Sequence, residues 1–232
     1  MANHFWVGSL CLLQGRAVLR PGIIAVADAI TIIKDLGNGI PDKSWMLYLL
    51  EVFDRKGGVP AELNLICQFN DRDNFWAIFS GVNRYKFTEV LPVVGHTYQR
   101  QIIFRKQSQS IEYVLTDRTA GHSEKFVLKA SGIAFEGKSH FTGVEWWNKV
   151  ASETFPVRYR VDISELMCGI AEGEGITYMP YDGFVPNKDN SAGSYAVSFV
   201  NPAINQGYLS YGITDGMSRH GLGLTNDGRA TL

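Results

Sequence analysis

The clearest pattern in the sequence is an alternation of apolar and polar positions between residues 62 and 90. Successive side chains of a strand point to opposite faces, so the run ELNLICQF at 62–69 divides into two sets. Leu63, Leu65, Cys67 and Phe69 form one set, and Glu62, Asn64, Ile66 and Gln68 form the other. Asn and Asp residues at 70–74 suit a tight turn. The segment predicts a β-meander with one face in the core and an opposite face that carries Glu62, Asn64, Gln68 and Trp76.

Other stretches of the chain also read as strands. Residues 157–164 (VRYRVDIS) alternate most regularly, and 110–116 with 125–129 form a hairpin pattern around a polar loop. The apolar run WMLYLLEVF at 45–53 has the length of a central strand buried on both faces. Residues 23–33 (IIAVADAITII) are ambiguous, because their Ile, Val and Thr content favours a strand while Ala27 to Ala29 would suit a short helix. We expect a strand there.

These short strands recur every eight to twelve positions with almost no amphipathic helix between them, which is typical of an all-β sandwich or barrel. A composition of 45% hydrophobic, 12% aromatic and 19% charged residues is that of a chain able to bury a full core. Sandwiches of this length are commonly undivided. We therefore expect one antiparallel two-sheet domain over residues 1–232, with a Gly-rich tail from about residue 215 that is prone to fray.

Charge and cysteine content restrict the partners. The net charge of −1 offers no basic field for nucleic acid and no polybasic patch for a membrane surface. No run of about 18 apolar residues, the length of a spanning helix, is present. The three cysteines are odd in number and widely spaced, which argues against a disulfide framework. With no signal-peptide pattern at the N-terminus, we expect a soluble and cytoplasmic protein, although secretion stays open.

A family resemblance rests on residues 65–76 (LICQFNDRDNFW), followed by 85–87 (YKF) and 111–113 (IEY). This strand, polar turn and aromatic strand resemble the core of the concanavalin A-like lectin and glucanase jelly rolls over roughly residues 60–130. The resemblance implies a convex and a concave sheet, with ligands held on the concave one. It points to a glycan as the ligand.

Candidate ligand residues follow from this interpretation. The segment FTGVEWWN at 141–148 places the Glu145 carboxylate next to Trp146 and Trp147. An indole ring can stack on a sugar ring while carboxylate and amide groups bind its hydroxyls. Alternation allows only one of the two tryptophans to be buried in a regular strand. The expected ligand-binding residues are Trp76, Trp146, Trp147, Glu62 and Asn64, together with the polar groups of Gln68 and Glu145.

The same segment also resembles, weakly, the Glu-Trp strand of the glutamic peptidases (eqolisins), a branch with the same two-sheet architecture. That resemblance implies an acid hydrolase in which Glu145 is the acid/base and Gln68 the partner that stabilises the oxyanion. The family's glycine-flanked glutamine is not present, because Gln68 lies between Cys67 and Phe69. A peptide is then the alternative ligand.

Several other patterns carry a weaker chemical signal. The carboxylates in EGE at 172–174 have the spacing of a catalytic pair, but their glycines favour a solvated turn. The oxygen-rich turn at 70–74 could hold calcium, although a hairpin needs the same residues for its backbone. The five histidines are not spaced as metal ligands and are expected in loops or at the surface. We expect neither a metal nor a cofactor, and a structural jelly roll that only assembles stays a third possibility.

Overall fold

We describe the fold from a computed structural model of the chain. The structure describes the following residues: 3–11, 21–32, 44–53, 61–68, 74–80, 83–130, 139–148, 159–180, 184–189, 208–213, 223–224 and 230–231. The described residues form strands, turns and connecting segments without a helix. No helix in this part of the chain is long and apolar enough to cross a membrane.

Seven strands form sheet A in the order β13-β1-β10-β3-β4-β5-β6, all antiparallel to their neighbours. Their bounds are β1 Asn3–Cys11, β3 Ser44–Phe53, β4 Ala61–Gln68, β5 Phe75–Ser80, β6 Asn83–Lys86, β10 Ser139–Asn148 and β13 Phe184–Asp189. The apolar run at 45–53 is confirmed as the central strand of the seven, and the meander at 62–90 forms one flank of the sheet.

Sheet B has the order β12-β11-β2-β7-β8-β9, with β14 paired to β11. Its strands are β2 Ile23–Ile32, β7 Thr97–Arg105, β8 Ser110–Asp117, β9 His122–Lys129, β11 Tyr159–Glu172, β12 Gly175–Pro180 and β14 Tyr208–Ile213. The strand expected at 23–33 is confirmed. A separate pair joins β15 Gly223–Leu224 to β16 Ala230–Thr231, and the remainder of the tail from about 215 lies outside the described residues.

The two sheets pack face to face as a β-sandwich. Leu63, Leu65 and Trp76 of sheet A and Tyr98 and Tyr113 of sheet B are all fully buried. The rings of Trp76 and Tyr98 lie 4.9 Å apart between centroids, so they join the sheets directly. The expected all-β architecture of two antiparallel sheets is confirmed.

A buried ion pair within sheet B also hydrogen-bonds to sheet A through its arginine. Arg100 of β7 binds both carboxylate oxygens of Asp28 on the neighbouring β2, at 2.8 and 2.6 Å. The same guanidinium donates to the backbone oxygens of Tyr48, Leu63 and Leu49 in sheet A, at 2.6, 3.1 and 3.2 Å. Both charged side chains are fully buried. Since a guanidinium has five N–H donors, these five bonds satisfy all of them.

His140 of β10 is also fully buried, so the expectation that it lies in a loop or at the surface is wrong. Burial, and secondarily the positive charge of Arg100, lowers the pKa of His140 to about 3. A neutral imidazole costs much less to bury than a charged one, which explains why this strand position tolerates a histidine.

Candidate functional site

Sheet A has one face toward sheet B and one face turned away from it, here called the distal face. Strand register shows which residues share that face, because directly paired residues of an antiparallel sheet lie on the same side. Gln68 pairs with Trp45, which pairs with Trp147 on the next strand. Gln68 and Trp147 therefore share a face, separated by one strand.

Glu145 lies on the same face. It pairs with Leu47, and Leu47 pairs with Ile66. Residues two positions apart in a strand lie on the same face of the sheet. Glu145 therefore shares a face with Trp147, and Ile66 shares that face with Gln68. Glu62 and Asn64 belong to the same set by the alternation of β4. By register, Glu145, Trp147, Gln68, Glu62 and Asn64 all belong to the distal face, where Asn64 is fully buried.

Trp76 and Trp146 do not join this group. Trp76 pairs with Leu65, is fully buried and packs against Tyr98 between the sheets. The prediction that Trp76 shares a face with Gln68 is wrong. The register between β4 and β5 pairs Trp76 with Leu65, whose side chain points toward sheet B. Trp146 pairs with Met46, which pairs with Cys67, so it is placed on the face toward sheet B.

Polar contacts on the distal face centre on Asn64. Its Nδ2 donates a hydrogen bond of 2.7 Å to Oε2 of the half-buried Glu62. Asn64 is fully buried, and its Oδ1 has no hydrogen-bond partner among the described residues. A carboxylate only accepts hydrogen bonds, which determines that the amide nitrogen, and not the oxygen, faces Glu62.

Three further distal-face residues escaped the sequence interpretation. Trp45 pairs with Gln68, Trp6 pairs with Glu145, and Glu51 pairs with Glu62. Glu51 is the only charged residue in the apolar run at 45–53. A single charged residue in an otherwise apolar strand could therefore have indicated Glu51 as a site candidate from the sequence. The faces of Trp6 and Trp45 could not be predicted in this way, because they depend on pairing between strands that are distant in sequence.

Cations of the distal face lie on its edge strand. Arg84 and Lys86 of β6 pair with Phe79 and Ala77 of β5, on the side of Glu62 and Asn64. Lys86 is exposed, and its Nζ lies 4.6 Å from the centre of the Phe75 ring. Among the residues whose side chains are described, this face also contains the buried Leu49, Ile66 and Ala77 beside Asn64.

A second titratable cluster lies at the end of sheet B. His96 Nδ1 is 2.8 Å from the Asp117 carboxylate. Burial pushes the pKa of Asp117 upward, but hydrogen bonds from His96 and from the backbone N–H groups of Ala120 and Thr119 outweigh it, and the net pKa is lowered. The Asp117 carboxylate thereby organises the turn between β8 and β9.

The described residues contain no group of three or more His, Cys, Asp or Glu side chains able to hold a metal ion. Most of the oxygen-rich turn at 70–74 lies outside the described residues. The carboxylates at 172–174 lie in the exposed turn between β11 and β12, where Gly173 has a φ of 58°, as expected for a solvated turn.

Of the comparisons with known proteins, only the one with solved structures gives matches. No protein-family model matches the sequence, and the comparison with curated proteins gives no match. Among solved structures, the chain is similar to scytalido-glutamic peptidase with a transition-state analogue inhibitor, at a TM-score of 0.51 and 8% identity over 81% of this chain and 88% of that one. At this identity the similarity shows a shared fold.

Weaker structural similarities extend to two other proteins. One is SCP-B, an eqolisin peptidase in a complex with the tripeptide Ala-Ile-His, at a TM-score of 0.44 and 7% identity over 76% of this chain and 84% of that one. The other is the lectin UEA-II complexed with galactose, at a TM-score of 0.32 and 10% identity over 61% and 72%.

Proposed function

We propose that the distal face of sheet A binds an extended polar ligand, and that this ligand is a glycan. The observation that carries the proposal is the strand register, by which Glu145, Trp147, Gln68 and Glu62 belong to the face of sheet A that is turned away from sheet B. From Glu62 to Gln68 this face extends about 20 Å along β4, at about 3.4 Å per residue. That length suits an oligomeric ligand better than a single small molecule.

Each residue type on this face has a role in such binding. Trp147 supplies a flat apolar surface with a polar N–H edge, a combination that suits a sugar ring. Gln68, Glu62 and Glu145 supply acceptors and donors for hydroxyl groups, as the few convergent polar groups of a ligand site do. Asn64, through its bond to Glu62, orients that carboxylate.

A glycan array followed by calorimetric titration tests this proposal. Trp147→Ala is expected to weaken binding at least tenfold, about 1.4 kcal/mol. Its neighbour Trp146 is a matched control because it is placed on the opposite face, so Trp146→Ala should lower stability while the folded fraction binds normally. Absence of binding to every glycan, or unchanged affinity in Trp147→Ala, would refute the proposal.

A second candidate, hydrolysis by a Gln and Glu pair, is favoured by one specific observation. Glu145 and Gln68 share the distal face two strands and two residues apart, which corresponds to about 12 Å between their Cα atoms. This backbone separation is compatible with both residues serving one substrate carbonyl. Glu145 would then act as acid and base, and the Gln68 amide would donate to the developing oxyanion.

Casein digestion at acid pH tests the hydrolase candidate. Glu145→Gln is expected to lower the rate by roughly 10²–10⁴-fold, the usual contribution of general acid–base catalysis. Gln68→Ala should lower it by a similar factor through the lost oxyanion donor. Glu112→Gln in sheet B is the matched control and should change nothing. Equal proteolysis in all three variants would exclude this pair as a catalytic centre.

A further inference from the structure

Strand β9 is the last strand of sheet B and pairs with β8 on one side only. Directly opposite residues of an antiparallel pair alternate between hydrogen-bonded and non-hydrogen-bonded pairs. The Ala130 N–H donates to the Gln109 oxygen at 2.9 Å, so the next pair, Lys129 with Ser110, is a non-hydrogen-bonded one. By this alternation, the following residues of β9 direct their backbone N–H and C=O groups away from β8: Ser123, Lys125, Val127 and Lys129.

This outer edge of β9 is accessible. Ser123, Lys125 and Lys129 are exposed, and Val127 is 46% exposed. Among the described residues, no further strand pairs with this edge. An open edge of this kind is a template on which another extended chain can add a strand through main-chain hydrogen bonds.

The opposite face of β9 is held in place by the rest of the molecule. The Glu124 carboxylate accepts hydrogen bonds from the backbone N–H groups of residues 88–90, the shortest at 2.8 Å. The ring of Phe126 lies 4.8 Å from that of Tyr85 between centroids. An edge that is fixed before a ligand arrives loses less conformational entropy on binding.

The exposed side chains of this edge give it a positive charge. Lys125 and Lys129 flank Val127 on the outer face of sheet B, and no described carboxylate forms an ion pair with either lysine. Lys129 Nζ lies 3.4 Å from a backbone oxygen of the turn before β8. Glu112, which lies opposite Val127 on β8, is already paired with Arg105 at 3.1 Å.

We propose that the open edge of β9 binds an extended acidic peptide as an added antiparallel strand. Acidic side chains lie opposite Lys125 and Lys129, and an apolar side chain lies opposite Val127. The partner therefore has the pattern acidic–x–apolar–x–acidic, because alternate residues of a strand share a face. Opposite charges directly across an antiparallel pair stabilise the pair. The site lies on sheet B and does not depend on ligand binding at the distal face of sheet A.

The same lysines disfavour pairing of this edge with a second copy of the chain. A two-fold pair centred on Val127 would place Lys125 of one copy opposite Lys129 of the other, and a pair centred on Lys125 would place that residue opposite itself. In a pair centred on Phe126 the lysines are still diagonal neighbours. Like charges in opposed positions are destabilising, and lysines on an exposed edge protect against such pairing.

Fluorescence anisotropy with a labelled, end-blocked peptide, Thr-Glu-Thr-Val-Thr-Glu-Thr, tests the proposal at neutral pH. The wild-type protein is expected to bind it at least tenfold more tightly than the same peptide with lysine in place of glutamate. Combined Lys125→Glu and Lys129→Glu replacements should reverse this preference. Lys86→Glu, the same change at an exposed position of sheet A, is the matched control and should keep it.

Methylation of single peptide nitrogens separates strand addition from simple charge attraction. In the proposed pairing the N–H of the central valine points to β9, whereas the N–H groups of the neighbouring threonines point away from it. Methylation of the valine nitrogen should weaken binding at least tenfold, and methylation of a neighbouring threonine nitrogen should change it little. Equal effects at both positions would overturn strand addition.

Other results would also overturn the proposal. Absence of binding to every peptide would leave the lysines with a protective role alone. Equal binding of the glutamate and lysine peptides would contradict the acidic assignment. Sedimentation of the wild-type protein as a dimer that excludes the peptide would assign the edge to a second copy. The peptide comparisons with the wild-type protein decide even if a variant fails to fold.

Discussion

Replacement of Arg100 by methionine tests the central structural interpretation, that the buried Arg100 guanidinium links the two sheets through its hydrogen bonds to the backbone of sheet A. Arg100→Met keeps a side chain of similar length but removes the five hydrogen bonds to Asp28, Tyr48, Leu49 and Leu63. The Asp28 carboxylate, fully buried in the native protein, would lose its charge partner. Removing one member of a buried pair typically costs about 3–5 kcal/mol. This is a large part of the 5–15 kcal/mol that stabilises a typical domain.

Urea unfolding monitored by tryptophan fluorescence measures the effect. Arg105→Met is a matched control on the same strand, because Arg105 is 36% exposed and forms a 3.1 Å ion pair with Glu112. Pairs of that kind contribute about 0–1 kcal/mol. We therefore expect the Arg100 variant to unfold at clearly lower urea concentration than the Arg105 variant.

A double replacement separates charge from packing. Asp28→Leu combined with Arg100→Met removes both charges, and buried pairs replaced by apolar residues of similar volume are often neutral or even stabilising. The double variant should therefore be more stable than Arg100→Met alone. The reasoning is refuted if Arg100→Met loses no more stability than Arg105→Met, or if the double variant is less stable than the single one.

Three further predictions concern stability. The pKa of His140 is lowered to about 3 in the folded protein, compared with about 6.5 in unfolded chains. Between these pH values the unfolded state therefore binds more protons than the folded state. The free energy of unfolding should fall by up to about 1.4 kcal/mol for each pH unit as the pH drops through this window. Urea midpoints from pH 7 to about pH 4 should show this loss reduced in His140→Gln. Gly169→Ala should cost about 1–3 kcal/mol, since its Cβ would lie 2.5 Å from Ile176 Cγ2. Gly175→Ala, whose nearest contact would be 3.5 Å, should change thermal unfolding little, and equal losses would contradict the packing argument. Trp76→Ala should cost about 3–5 kcal/mol by thermal or urea unfolding, as burial in the core requires, and an unaltered midpoint would argue against that placement.

Much of the architecture was predictable because local patterns report local structure. The alternation in residues 62–69 indicated β4 and both of its faces, and the length of the apolar run at 45–53 indicated a central strand. The strand at 23–33 was harder, since Asp28 interrupts its apolar pattern. Its partner Arg100 is 72 positions away in the chain, and a strand pattern does not reveal a charge pair between strands so far apart.

The candidate site could be predicted only in part, for the same reason. Glu62, Asn64 and Gln68 share one face of β4, because they are alternate residues of one strand. Their role in a ligand site stays a prediction, and the expectation that this face is turned to solvent or a ligand is wrong at Asn64, which is fully buried. The placement of Trp76 failed because its face depends on the register across a connection of several residues, and a shift of one residue reverses every side chain. The pairing of Glu51 with Glu62 depends likewise on the register between β3 and β4.

The sequence by itself determined the secondary structure class, the approximate strands and the polar side of β4, because side-chain alternation and turn composition act over a few residues. Only the tertiary structure decided which strands are neighbours, and hence that Glu145 and Trp147 share the distal face with Gln68 while Trp76 belongs to the core. Strand order and register arise from the simultaneous burial of apolar faces from distant segments. No single segment contains that information.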